Sequence, residues 1–350
     1  MKKKAASVYN IRSVEEYAAL QDYTTYHPHQ VGSFSIDTDG EFTDCDKARF
    51  TRLKKFQLPL NLDEGFNPRE IDRKVAFPHG EKPLWWIHGS KHGYSSVSDV
   101  DVITQKGVLK KIGYTIGNPY KNKNLWKIEG CKYKGKLYMR TPNEESNILN
   151  ERAARNSYWG VKFEEYVIEP IPLIQSSYKV LKGRIGDKNI LLSAEVDAIK
   201  TNGKQIEIKT CFAGRLTKKM PLVWIQSYLG NVDILYCGWK DKKGIVSKMP
   251  TESKIASIPG SKTLEISVAN AMIGFLADVI DWMYTNLPDD DETWVLEYKG
   301  GTRISLECSG GKFLPNWYLQ FIDGTKEDAN ELVRQVEALT LKDRNIDGQF

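Results

Sequence analysis

The sequence predicts an α+β fold: mixed, largely antiparallel sheets flanked by helices, in a single compact domain. Three observations predict it. Pairs of apolar and polar-alternating runs joined by turn residues occur at 125–141, 177–210, 234–249 and 293–308, which is the pattern of hairpins. Apolar residues recur at helical spacing over 216–230 and 265–287. No linker rich in Pro, Gly or Ser divides the chain into halves.

Each element follows from local chemistry. Residues 1–30 are mixed and polar and read as an arm, with one helical turn around Val14–Leu20. Residues 31–37 (VGSFSID) read as a strand. Pro59, Pro68 and Pro78 break regularity over 50–80. Residues 83–90 (PLWWIHGS) are strongly apolar, and Trp85 and Trp86 are assigned to the core rather than to base stacking. The segment 106–120 has a basic start, and 125–141 is a hairpin turning near Lys134-Gly135. Residues 143–158 suit a helix begun by Asn143, Glu144 and Glu145. Residues 158–170 then place Tyr158, Val161, Phe163, Tyr166 and Val167 near one helical side, and Pro170 ends the run. In the helix over 216–230, Pro221 is expected in the first turn and Gly230 at the C-cap. A second hairpin turns over Lys240–Lys243, and another through Gly300-Gly301. Residues 313–322 are apolar, and 326–341 form an amphipathic helix through Leu332, Val336 and Leu339. The expected organisation is an arm over 1–30, a domain over 31–322, and a helix and tail over 323–350.

Composition narrows the classes. The net charge of +5 is compatible with a nucleic-acid partner without requiring one. The five cysteines, Cys45, Cys131, Cys211, Cys237 and Cys308, are odd in number and contain no CxxC, so they read as free thiols in a reducing compartment. His88 and His92 have a helix-like spacing in Gly- and Ser-rich sequence that does not favour a helix, and no histidine is assigned to a metal. The longest apolar segment, 265–287, carries Asp278 and Asp281 and reads as a buried soluble helix rather than a membrane span. MKKK is followed by no apolar stretch, so no secretory leader is expected, and the protein is placed inside the cell, the nucleus preferred to the cytosol.

The chemistry concentrates in 191–210, LLSAEVDAIKTNGKQIEIKT. With strand periodicity, Glu195 and Asp197 share one face, and after the Asn202-Gly203 turn Glu207 and Lys209 share a face. Alternating charge is also what any half-exposed strand shows. However, two like charges about 7 Å apart on one strand face, with no base between them, form a ready ligand set for a divalent cation. An acid, a ten-residue step and Glu-x-Lys is the layout of the restriction-nuclease metal site. Glu164 comes before this hairpin and Gln226 after it. Taken alone, Glu164 reads as a boundary residue and Gln226 as a surface or capped amide.

With Glu164, Glu195, Asp197, Glu207, Lys209 and Gln226 in this order, the chain resembles the DXO/Rai family of RNA 5′-end decapping nucleases. The resemblance is carried by GVKFEEY (160–166), SAEVDA (193–198), EIKT (207–210), WIQSYLG (224–230), the later CGW and GIV segments, and FLPNWY (313–318). VGSFSID and LNLDEGF (60–66) resemble the family's N-terminal part, so it spans roughly 31–322. It implies a restriction-nuclease-like core. Glu195, Asp197 and Glu207, with the main-chain carbonyl of Ile208, would hold one or two Mg²⁺ or Mn²⁺ ions. Glu164 would lie beside them, directly or through water. Lys209 and Gln226 would approach the scissile phosphate and the attacking water. The implied activity is removal of incomplete caps, 5′ pyrophosphate or NAD-type caps from RNA, with 5′-to-3′ digestion in some members. Where the family carries an arginine in Trp-Arg-Gly, this chain has Gln105-Lys106-Gly107. Lys106 keeps the charge on the 5′-phosphate side but not the planar fork. Lys110, Lys111, Lys218 and Lys219 are candidate RNA contacts. The alternatives are a stabilising partner of a larger 5′-to-3′ exoribonuclease and a DNA nuclease of the restriction type.

Overall fold

A computed structural model describes residues 7–67, 81–118, 125–142, 151–212 and 215–324. In chain order, β1 (Ser7–Asn10) and α1 (Val14–Leu20) precede β2 (His29–Asp37) and the short β3 (Phe42–Thr43), β4 (Arg52–Leu53) and β5 (Leu60–Asn61). Then come α2 (Lys82–Gly89), α3 (Gly93–Ser96), β6 (Val102–Gln105), α4 (Lys106–Gly117), β7 (Trp126–Tyr133), β8 (Lys136–Arg140), α5 (Glu151–Val167) and β9 (Ile168–Glu169). The second half holds β10 (Ile174–Ile185), β11 (Lys188–Glu195), β12 (Ala198–Ile199), β13 (Gln205–Phe212), α6 (Leu216–Leu229), β14 (Ile234–Lys240), β15 (Ile245–Val246), β16 (Thr251–Lys254), α7 (Ile266–Asn286), β17 (Glu292–Tyr298) and β18 (Arg303–Lys312).

Two sheets result. The larger runs β1-β18-β17-β7-β8-β6-β11-β10-β2-β3, and the smaller runs β5-β15-β14-β13-β12-β4-β9, with β16 paired to β14. Pairing is mostly antiparallel, as expected. The parallel exceptions are β6 with β8 and β11, β12 with β4, and β13 with β14. A parallel neighbour needs a crossover, and α6 supplies it between β13 and β14.

Residues 7–30 are not a free polar arm. Ser7–Asn10 pairs with Arg303–Leu306, and Tyr9, Tyr17 and Tyr26 are buried. The polar letters of this stretch concealed three rings with buried hydroxyls. Tyr9 hydrogen-bonds Tyr17 at 2.7 Å and donates to Asp278, and Tyr26 donates to the Leu229 carbonyl at 3.2 Å. The chain divides into two compact units, residues 1–311 and 312–350. In the small unit that follows, residues 316–324 are helical. The expected helix start at Asn143 and the helix over 326–341 lie outside the described residues, while 151–158 of the first are helical as the beginning of α5.

The main core forms where α1, α4, α6 and α7 pack together and against the large sheet. Helix α7 is long and apolar enough to cross a membrane, but Met272, Phe275, Leu276, Val279, Ile280 and Met283 are buried in this core. Its acids are also satisfied within the fold: Asp278 pairs with Arg12 at 3.2 Å, and Asp281 with Lys188 at 3.1 Å. Helix α1 crosses α7 where Gly274 leaves no side chain; a Cβ there would fall 2.1 Å from the Tyr17 carbonyl oxygen. Gly274→Val is therefore expected to destabilise the protein by roughly 1–3 kcal/mol through overpacking. Urea unfolding checks this, and an unchanged midpoint would show that α1 shifts without loss.

Helix α5 covers the small sheet, with Trp159, Phe163 and Val167 set against Ile206, Ile208 and Tyr236. Of residues 106–120, given no element by the sequence reading, Lys106–Gly117 form α4, with Val108, Leu109 and Ile112 buried at helical spacing. Two helical details differ from expectation. His88 does lie in a helix, α2, where Leu84, Trp86 and Ile87 form the buried face, while Trp85 is half-buried. Pro221 sits inside α6 rather than in its first turn, where it removes the N–H that would reach the Thr217 carbonyl. Gly230 is the C-cap as expected, and the five cysteines are free thiols.

Candidate active site

The site forms where the chain leaves one sheet for the other. Strand β11 ends at Glu195 in the large sheet, and β12 begins at Ala198 in the small one. The expected single hairpin over 191–210 is thus broken at Val196-Asp197, and only β12 and β13 form its paired arms. Because Ala198 registers with Ile206, extending the pairing by one residue sets Asp197 beside Glu207. The Ile208 N–H donates to Asp197 Oδ2 at 2.8 Å, and Thr51 Oγ1 donates to the Asp197 carbonyl at 2.6 Å. Both bonds hold the aspartate at the junction.

Glu207 is the centre of the cluster and almost wholly buried. A charge there needs partners, and three elements deliver them. Lys209, two residues along β13, and Gln226 of α6 both donate to Glu207 Oε1. Lys106, the first residue of α4, lies 3.7 Å from Oε2 and donates to the Glu195 carbonyl at 3.2 Å. Lys209 also donates to the Ile208 carbonyl at 3.1 Å and stands 3.9 Å from Asp197 Oδ2. Lys110, one turn beyond Lys106, donates to Gln226 Oε1 at 3.4 Å. Glu164 on α5 is half-buried and close enough for its charge to act on Lys209.

The electrostatics follow from burial set against charge. Burial pushes the Asp197 carboxyl up to about 6, Glu207 adding to the push and Lys209 and Lys106 opposing it. Burial acts the same way on Glu207, but Lys209 and Lys106 outweigh it and hold Glu207 below its ordinary value. Burial disfavours the Lys209 ammonium, yet Glu207 and Asp197 together raise its pKa. Lys110 is lowered by burial and by Lys106 and Lys209. The N-terminus of α4 carries no side-chain cap. Its free N–H groups and the two lysines of its first turns make this corner attractive to anions.

Among the described residues, no three His, Cys, Asp or Glu side chains stand as a ready metal cage. The four expected acids are therefore not gathered as a closed ligand set; the lysines and Gln226 occupy Glu207 instead. The residues nevertheless suit a hard divalent cation. All the donors are oxygen, and two carboxylates meet at a buried junction where only positive charge relieves their repulsion. Lys218 and Lys219 are exposed at the start of α6 and do not pair with the site acids. Lys111 is half-buried on α4. Sequence reasoning missed Thr51, which acts from a distant loop, and the contact of Lys110 with Gln226. The period of α4, placing Lys106 and Lys110 on one face, was the available signal for the latter. A cavity of about 860 Å³ lined by Tyr23, Trp224, Tyr228 and Lys254 contains none of the site acids. It lies on the side of α6 away from Gln226, as their helical spacing dictates.

An acid at a sheet junction, Glu-x-Lys on the next strand and a glutamine from the crossover helix define a nuclease of the restriction type. Comparison with known proteins agrees. The profile of the RAI1 like PD-(D/E)XK nuclease family matches residues 26–319, and the chain belongs to that family. The decapping nuclease dom-3 of Caenorhabditis elegans is 28% identical over 322 residues, covering 77% of this chain and 79% of the relative. The crystal structure of S. pombe Rai1 in complex with 3′-FADP superposes with a TM-score of 0.67 at 19% identity, covering 87% of this chain and 99% of that one. Candida albicans Rai1 in complex with pU5-Mn2+ gives 0.63 at 16% identity, over 87% and 93%.

Proposed function

We propose that this chain is a metal-dependent hydrolase of RNA 5′ ends that removes incomplete or dinucleotide-type caps. The observation that carries the reading is Glu207, buried between Asp197, Lys209 and Gln226 where the two sheets meet. Asp197, Glu207, Glu195 and the Ile208 carbonyl would hold Mg²⁺ or Mn²⁺, with Glu164 beside them. A bound divalent cation would neutralise charge on the phosphoryl transition state and acidify a water.

The chain's own residues do the rest. Lys209 meets the non-bridging phosphate oxygens, and Gln226 orients the attacking water. Glu164 accepts or relays its proton at the edge of the cluster. Lys106, Lys110 and the N-terminus of α4 receive the 5′ phosphates. The nuclease family, the decapping activity in the relative's name, and the RNA oligonucleotide and manganese in a neighbour's title support this reading. The intact set of acids, lysine and glutamine supports an active enzyme over a solely stabilising partner of an exoribonuclease.

The test uses RNA of one sequence bearing a triphosphate, an unmethylated guanosine cap, an NAD cap or a monophosphate, beside the matching DNA. Release of the 5′ group from RNA is expected with Mg²⁺ or Mn²⁺. It is expected to stop on chelation and return on re-addition. Equal cleavage of DNA, or undiminished release in excess chelator, would overturn the proposal. Shortening of the monophosphate RNA would reveal accompanying 5′-to-3′ digestion.

A further inference from the structure

Behind the active site, on the other face of α6, lies the cavity of about 860 Å³, a size suited to a small molecule. Segments distant in sequence converge on it: the loop after α1, the turn between β12 and β13, the back of α6, the start of β14, and β16. Its wall on α6 is aromatic and fixed. Trp224 and Tyr228 stack at 4.8 Å and 20°, and Tyr23 meets Trp224 edge-on at 5.7 Å. The Tyr228 hydroxyl donates to the Tyr26 carbonyl at 3.2 Å. Rings held by one another and by the main chain are already placed to receive a planar group.

Polar groups at this wall are left without partners. Trp224 lines the cavity and is wholly buried, yet its Nε1–H finds no acceptor among the described residues. Gln205 follows Lys204 of the rim and is 1% exposed, and neither its Oε1 nor its Nε2 has a partner. Ile206 packs into the core beneath α5, so strand alternation turns Gln205 toward α6, as it does Glu207. Buried groups left unpaired cost free energy that a ligand's own donors and acceptors would recover. An amide offers donor and acceptor side by side, the complement of a base edge.

The rim supplies charge. Lys200 is engaged by Glu252 at 2.6 Å, and Asp233 accepts the Gln205 N–H at 2.8 Å. Lys204, in the turn before β13, and Lys254, beside Ile234 at the end of β16, are exposed and have no carboxylate partner among the described residues. Their ammonium groups suit a phosphate.

We propose that this cavity binds a nucleoside monophosphate, its base against Trp224 and Tyr228 and its phosphate on Lys204 and Lys254. The site is separate from the acids of β13, needs no metal, and does not rest on the hydrolase reading.

The test is titration calorimetry of the full chain, in excess chelator, with adenosine, guanosine, cytidine and uridine 5′-monophosphates beside adenosine and ribose 5-phosphate. At least one nucleotide is expected to bind with a Kd below about 1 mM, and about tenfold or more tightly than either fragment. Lys204→Glu combined with Lys254→Glu is expected to weaken that binding about tenfold or more, while RNA 5′-end release in Mg²⁺ is unchanged. Trp224→Phe, which keeps a ring but not the N–H, is expected to weaken it as well. Circular dichroism melting verifies that each variant keeps its fold. Undiminished binding in the lysine variant would place the nucleotide elsewhere, and equal binding of ribose 5-phosphate would reduce the site to a phosphate contact. Absence of nucleotide binding, with affinity for an RNA oligonucleotide lost in the lysine variant, would make the rim a track for the RNA body. Each of these results overturns the proposal and leaves the metal reading in place.

Discussion

Glu207→Gln is expected to lower RNA 5′-end cleavage by about 10³-fold or more, a loss of about 4 kcal/mol of transition-state stabilisation. The substitution keeps the volume of a buried side chain but removes its charge. In the folded chain that charge is held by Lys209 and Gln226 on one oxygen and Lys106 on the other. Without it, Asp197 and the more distant Glu164 remain as carboxylates acting on Lys209, and the oxygen donors for a cation are reduced by a full negative charge. The ground state should suffer less than the reaction, because removal of Glu207 also relieves its repulsion of Asp197. Single-turnover cleavage and a denaturant melt on the same preparation separate the two effects. Cleavage within threefold of wild type would sink the assignment of Glu207 as the centre of the site.

Phe163→Ala is expected to cost roughly 3–5 kcal/mol of stability. Phe163 is wholly buried, and its ring lies parallel to that of Tyr236 on β14 at 6.4 Å. It also fills the room that Gly238 leaves: a Cβ there would be 2.5 Å from the Phe163 Cζ. Truncation leaves a cavity between α5 and the small sheet that neither side can close alone. The adjacent Glu164 depends on the same packing for its place near Lys209. Activity at low temperature, where the variant is still folded, should therefore fall as well. A loss below about 1 kcal/mol would mean that α5 is not clamped at this residue. Preserved activity in the folded variant would detach Glu164 from the chemistry.

The hairpins at 125–141 and 234–249 and the helices α6 and α7 were legible because each rests on local signals. Turn residues such as Lys134-Gly135 and a helical apolar period need no distant partner. The order of the site residues was legible for the same reason, being linear spacing on the chain. Helix α4 was harder to read because its first turn is basic and its apolar residues are interrupted by glycines. Residues 7–30 were misread because tyrosine is ambiguous: its ring belongs in a core only where its hydroxyl finds an acceptor, and Asp278 lies more than two hundred residues away.

By itself the sequence determined which residue types stand at which spacing, and so the class of chemistry and most of the individual strands and helices. Tertiary structure alone decided that the strand through Glu195 would part at Val196-Asp197 and feed two different sheets. The period-two alternation runs unbroken through that point, because burial of Val196 and retention of Asp197 satisfy one sheet as well as two. What breaks it is pairing with remote segments: β6 holds β11, while β4, with Thr51 beside it, holds β12 and Asp197. Tertiary structure also decided that Lys106 would reach Glu207 at all. Its approach depends on the parallel register of β6 with β11 and on the space left at Gly230, neither of which has a local signature.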